Sequence, residues 1–130
     1  MNGYFGAVGC RIGCDLLAVA DVCDSIEQFG ERYLRRVYTP REVATCAGRP
    51  HRLAARFAAK EAAIKVLQAT DVALPLLSIE TRRVDAGWCE LELSGAAAQL
   101  ARDQHLTDFQ VSLSHEAHYV MAVVHACGRN

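Results

Sequence analysis

The chain has 130 residues, 52% of them hydrophobic and 22% charged, with a net charge of -1. That length suits a single domain over residues 1–130 whose one core buries roughly two-thirds of the unfolded surface, and the composition excludes a disordered segment. Near-neutral charge argues against a nucleic-acid binder, no apolar run reaches the ~18 residues of a membrane span, and Met1-Asn2-Gly3-Tyr4-Phe5-Gly6 lacks the features of a signal peptide, so a cytoplasmic globule is expected.

Residues 8–17, with Val8, Ile12, Leu16 and Leu17 and the glycines Gly9 and Gly13, predict a strand. Asp15 sits inside it. A carboxylate in an apolar strand is costly to bury unless a cation or a donor lies beside it, and Gly13 leaves space for a ligand or another backbone. An Asp15 that merely points to solvent at a strand end fits the same pattern. Residues 24–32 predict a helix with Asp24 or Ser25 as its cap and Ile26 and Phe29 facing the core, its end blurred by Gly30. Thr39-Pro40-Arg41-Glu42 is a helix start with a hydroxyl at the cap, proline in the first turn and glutamate three residues after the cap. Gly48-Arg49-Pro50 then breaks the chain.

Residues 51–68 form the strongest predicted helix, rich in alanine and long straight side chains. Leu53, Phe57, Ile64 and Leu67 fall on one stripe, with Glu61 on its border and Lys65 one turn on. Taken alone, that spacing describes an exposed i,i+4 ion pair. Arg32, Arg35, Arg36, Arg41, Arg49, Arg52, Arg56 and Lys60 make the region from 32 to 60 locally basic, which suits an acidic partner or a phosphate ligand, although Glu27, Glu31 and Glu42 are interspersed.

Residues 69–77 predict a loop, and 78–84 and 88–93 alternate as two strands of a hairpin turned by Asp85-Ala86-Gly87. Cys89, Leu91 and Leu93 share one face and Glu90 and Glu92 the other, so one side is wet. Ser94 is placed to cap a helix over 95–105. Residues 109–114 form a further alternating strand, and 119–126 a nearly continuous apolar one expected to be the most buried. Six cysteines, Cys10, Cys14, Cys23, Cys46, Cys89 and Cys127, include no Cys-x-x-Cys pair; they read as small buried hydrophobes, not as a zinc site or a disulfide framework. Helices and strands mix without strict βαβ alternation, so the class is α+β.

Asp15 and Glu61 are the two acids set among apolar residues. If the central helix packs across the first strand, they could share a hard divalent cation; Mg²⁺ is commonly held by one or two carboxylates, with phosphate oxygens and water completing its shell. Lys65 would lie against the same phosphate. His115, at a strand end, is the histidine best placed for a phosphate contact or a proton transfer, and equally a satisfied terminal histidine.

Gly13-Cys14-Asp15, then Arg56-Phe57-Ala58-Ala59-Lys60-Glu61-Ala62-Ala63-Ile64-Lys65, then Ser112-Leu113-Ser114-His115-Glu116 followed by Ala122-Val123-Val124, resemble in order and spacing the three blocks of the small phosphopantetheinyl transferases of the holo-acyl-carrier-protein synthase type. The resemblance implies an α+β fold with a long central helix packed on a mainly antiparallel sheet. It also implies transfer of 4′-phosphopantetheine from coenzyme A to a serine of an apo acyl carrier protein, releasing adenosine 3′,5′-bisphosphate. Asp15 and Glu61 match the family's Mg²⁺ ligands, with Glu61, Lys65 and His115 as catalytic residues and Arg56, Lys60, Lys65 and His115 as coenzyme A contacts. The family's small members are homotrimers with interfacial sites, so His115 is expected from the neighbour of the protomer that supplies Asp15 and Glu61. Three departures stand out: Asp21 where many members carry arginine, no proline after Gly87, and Arg11 where a small residue is common. Two rivals remain, a catalytically silent coenzyme A-binding module and a plain interaction domain.

Overall fold

The computed structural model describes residues 9–70, 73–84 and 87–128. The chain begins with β1 (Cys10–Ala18), then the helices α1 (Val19–Phe29), α2 (Glu31–Val37), α3 (Pro40–Cys46) and α4 (Pro50–Leu67). A hairpin follows, β2 (Ile79–Arg83) and β3 (Cys89–Leu93), then α5 (Gly95–Asp103), β4 (Leu106–His115) and β5 (Tyr119–Gly128). Two antiparallel sheets result, one of three strands in the order β1-β5-β4 and one formed by β2 and β3. Val8 and the first two residues of the expected hairpin turn lie outside the described residues, but Gly87, at φ +84, closes that turn as expected.

The central helix α4 is the spine of the fold. Its contact face is mainly alanine: Ala54, Ala58, Ala59, Ala62 and Ala63 are wholly buried, whereas Phe57 and Ile64 of the expected apolar stripe are only half-buried. Small side chains let a strand come closer than leucine would. At Gly13 of β1 the approach is tightest, since a Cβ there would run into the carbonyl oxygen of Ala62 and press on Lys65 and Val66. The space foreseen beside Gly13 is thus taken by a helix backbone.

Several expectations are corrected. The first helix starts at Val19, directly after β1, with the Val19 amide donating to the His118 carbonyl at 2.9 Å. Asp24 and Ser25 lie within it and cap nothing; the Ser25 hydroxyl donates to the Asp21 carbonyl one turn back. Gly30, at φ +55, then turns the chain into α2, which the sequence reading left out beyond residue 32. Ser94 stands at the cap position of α5 without a side-chain capping bond. Strand β5 is central, but its burial alternates: Val120, Ala122, Val124 and Ala126 are buried while Tyr119 and Met121 are exposed. Of the cysteines only Cys46 is buried, and none is in a disulfide.

Arg11, unexplained by the sequence, has a structural task. Its guanidinium donates to the Val66 carbonyl at 3.1 Å and to the Gln104 side chain, whose amide in turn donates to the Leu67 carbonyl at 2.7 Å. A cation therefore satisfies the last carbonyls of α4 at the negative end of the helix dipole.

The capping box at Thr39 forms as predicted and extends into the core. The Thr39 amide donates to Glu42 Oε1 at 2.9 Å and the Glu42 amide to Thr39 Oγ1 at 3.2 Å, while Glu42 Oε2 accepts from the Thr81 amide at 3.0 Å. Lys60, expected to touch coenzyme A, instead points inward. It is wholly buried, pairs with Glu42 at 2.8 Å, and donates to the carbonyls of Leu76, at 3.0 Å, and Ile79. Every proton of the ammonium has an acceptor, which makes its burial tolerable, although desolvation still lowers its pKa against the pull of Glu42. Removing one member of such a pair strands the other. Lys60→Met is accordingly expected to cost about 3–5 kcal/mol in urea unfolding, and Glu42→Gln/Lys60→Met to recover part of that loss.

Candidate active site

Two groups of polar side chains flank α4, and its helical periodicity separates them. On one side, β1 presents Asp15 on the face that carries Gly13, toward the helix, because residues two apart on a strand share a face. Lys65 reaches across to it: Nζ donates to the Cys14 carbonyl at 2.8 Å and pairs with Asp15 Oδ1 at 3.3 Å. The lysine side chain remains about half exposed (56%) while that of Asp15 is largely covered (18%). Glu61, one turn before Lys65, is half-buried, and its pKa is raised above the usual glutamate range, first by burial and then by the Asp15 charge, with Lys65 opposing. The ion pair foreseen between Glu61 and Lys65 is replaced by one between Lys65 and Asp15.

The Asp15 charge makes Glu61 harder to ionise, and a single half-exposed ammonium beside the two carboxylates leaves their neutralisation incomplete. Their donors are hard oxygens, which fits Mg²⁺, an ion that takes one or two protein carboxylates and fills the rest of its shell with phosphate and water.

On the other side of α4, Arg49, Arg52 and Arg56 recur at spacings of three and four and face a cleft of about 380 Å³. Arg83 and Gly87 of the hairpin, and His115 at the end of β4, line the same cleft. The rings of His51 and His115 lie 5.8 Å apart. Arg56 is almost fully buried, yet among the described residues its Nε has no hydrogen-bond partner. An unsatisfied buried donor among four guanidinium groups is the environment an anion completes. Arg49 and Arg52 belong to the basic stretch expected to suit a phosphate ligand, whereas His51 and Arg83 are not among the expected site residues; Arg83 comes from a distant hairpin and leaves no local signal. Asp15, Glu61 and Lys65 are thus brought together, as are Arg56 and His115, but these are two separate groups within one chain.

A family model described as the 4′-phosphopantetheinyl transferase superfamily matches residues 11–124. The chain belongs to this superfamily. It is 35% identical over 116 residues to a holo-acyl-carrier-protein synthase of Halothermothrix orenii, covering 87% of this chain and 93% of that protein. To a holo-acyl-carrier-protein synthase of Gloeobacter violaceus it is 38% identical over 122 residues, covering 91% and 92%. Among solved structures, the holo-acyl-carrier-protein synthase of Helicobacter pylori in complex with coenzyme A superposes with a TM-score of 0.79 at 27% identity, covering 88% of this chain and 97% of that one. The synthase of Neisseria meningitidis superposes at 0.75 with 28% identity, covering 88% and 95%. The α+β class and the helix-on-antiparallel-sheet architecture are those of this superfamily.

The raised pKa of Glu61 has a consequence for stability with no metal added. The folded state holds the Glu61 proton more tightly than the unfolded chain, so stability falls as pH rises from the unfolded pKa through the higher folded one. Glu61→Gln is therefore expected to melt at a higher temperature than the parent at neutral pH in metal-free buffer. Side-chain carbonyl NMR should show the Glu61 titration shifting down in Asp15→Asn and up in Lys65→Met; no shift in either would disconnect the three groups.

Proposed function

We propose that the chain, as a single phosphopantetheinyl transferase domain, moves 4′-phosphopantetheine from coenzyme A to a serine hydroxyl of an apo acyl carrier protein and releases adenosine 3′,5′-bisphosphate. The observation that carries this reading is the convergence of Asp15 and Glu61, far apart in sequence, beside Lys65. The arginine cleft supports it independently as a cradle for the phosphates of coenzyme A, with Arg56 and His115 among its walls. Lys60 drops out of the expected contacts, because a wholly buried ammonium cannot reach a ligand.

In this reading Asp15 and Glu61 hold Mg²⁺. The ion, when bound, offsets charge on the nonbridging oxygens of the pyrophosphate. The serine oxygen forms a bond to the phosphorus adjoining pantetheine as the bond to the bisphosphate breaks, and Glu61 takes the hydroxyl proton. Lys65, half exposed and carrying a positive charge, stabilises the departing phosphate. His115 contacts coenzyme A.

The chain is further proposed to act as a homotrimer, with His115 supplied to the Asp15–Glu61 centre of a neighbour. Two features support this: His115 sits apart from that centre in its own chain, and the outward face of the three-stranded sheet exposes Ile12, Leu16, Tyr119 and Met121. An apolar sheet face of this kind suits subunit contact. Among the described residues no helix is long and apolar enough to cross a membrane; cytoplasmic operation is part of the proposal and fits six cysteines without a disulfide.

Incubation with coenzyme A, Mg²⁺ and an apo carrier protein, with the carrier weighed by mass spectrometry, tests the reaction. The carrier is expected to gain one phosphopantetheine arm, and Glu61→Gln to slow the gain by about 10²–10⁴-fold, the range for loss of a general base. A carrier left unmodified by a protein that still binds coenzyme A identifies a silent binding module, and no affinity for coenzyme A or Mg²⁺ identifies an interaction domain. For the assembly, Leu16→Asp/Met121→Asp is expected to convert a trimer into monomers in analytical ultracentrifugation, with transfer lost in step.

A further inference from the structure

The outward face of the three-stranded sheet carries a cluster with no part in the transfer chemistry. The register of β1 and β5 sets Cys10 opposite Cys127 and Ile12 opposite His125. Directly opposed residues of an antiparallel pair point the same way, as do residues two apart on one strand, so Cys10, His125 and Cys127 emerge side by side. Their Sγ atoms are 3.2 Å apart, and the two sulfurs and a ring nitrogen of His125 all lie within 4.8 Å of one another. Within one chain Cys10 is exposed and the other two are half-buried. Sequence spacing gave no hint of it, because Cys10 and Cys127 are separated by 117 positions.

Two thiols and an imidazole are a soft to borderline donor set, distinct from the all-oxygen pair at Asp15 and Glu61. A tetrahedral zinc ion, with Zn–S near 2.3 Å and Zn–N near 2.0–2.1 Å, separates its ligand atoms by about 3.5–3.8 Å. The sulfurs, at 3.2 Å, lie just inside that spacing and the His125 nitrogen is within 4.8 Å of both; opening the two sulfurs by roughly half an ångström is within the reach of a χ1 adjustment. The paired strands hold all three Cα positions in place, so a cation finds its ligands already ordered.

We propose that Cys10, His125 and Cys127 form a binding site for a zinc-class divalent cation, with the fourth tetrahedral position open to water. Binding expels one proton from each thiol and leaves two thiolate–metal bonds and one imidazole–metal bond, with no change of oxidation state. The site does not rest on the transferase reading and survives its failure.

The test is a Co²⁺ titration of the fully reduced, full-length protein in whatever assembly it adopts. Thiolate-to-cobalt charge-transfer absorption is expected to saturate at one equivalent per chain and to vanish when Zn²⁺ is added. It should be lost in Cys10→Ser and in Cys127→Ser, weakened in His125→Ala, and unchanged in Cys14→Ser and Cys23→Ser, with far-ultraviolet circular dichroism confirming that each variant is folded. Cys10→Ser should keep its phosphopantetheine transfer rate with Mg²⁺. The proposal is overturned by absence of the absorption in the reduced parent, by its full persistence in folded Cys10→Ser and Cys127→Ser, or by a mass two hydrogens lower that shows the cysteines closing on each other in place of taking metal.

Discussion

The close seating of α4 on β1 governs the rest of the molecule. A glycine on the strand and a row of alanines on the helix remove the side chains that normally hold a helix and a sheet apart, and Gly13 comes against the Ala62 carbonyl. At that separation a carboxylate on the strand and one on the helix share the same small volume, and a lysine one turn further reaches the strand backbone. With a leucine in place of either small residue the same acidic side chains would face water separately. The chemistry of the centre is thus a consequence of missing methyl groups.

The cations of α4 show how one helix serves three ends at once. Lys60 goes into the core, where Glu42 and two carbonyls satisfy it and tie α4 to α3 and to the approach to β2. Arg49, Arg52 and Arg56 go to a cleft, where they repel one another and so favour an anion. Lys65 goes to Asp15. The first arrangement favours the fold; the other two leave electrostatic work unfinished on the surface, which is where a phosphorylated substrate is most effectively bound. The core and the candidate site are adjacent turns of the same helix, differing only in whether the charge has already met its partner.

The three-stranded sheet has the opposite character on its two sides. Inward, Ala122, Val124 and Ala126 pack against α4; outward, Ile12, Leu16 and Met121 remain exposed, with the Cys10, His125 and Cys127 cluster farther along the strands. An apolar run such as 119–126 reads as a strand buried on both faces, and within one chain it is buried on one. Composition and burial therefore disagree on this face, and within one chain an apolar patch is left exposed.

Local rules were enough to locate the helix start at Thr39, the long α4, the hairpin and the strands β4 and β5, because caps, turn residues and apolar periodicity act over a few residues. They also named Asp15, Glu61, Lys65 and His115 as candidate site residues, the first three of which the fold gathers beside one another. What they missed depends on distance: the start of α1 is set by the end of β1 and the His118 carbonyl, Lys60 turns inward because Glu42 waits there, and Arg11 is explained only by the carbonyls at the end of α4. The tertiary structure alone decided which cations are spent on the fold and which stay available, and it brought Cys127 beside Cys10. Sequence periodicity assigns a side chain to a face; what occupies the space in front of that face is decided by the packing of elements remote in the chain.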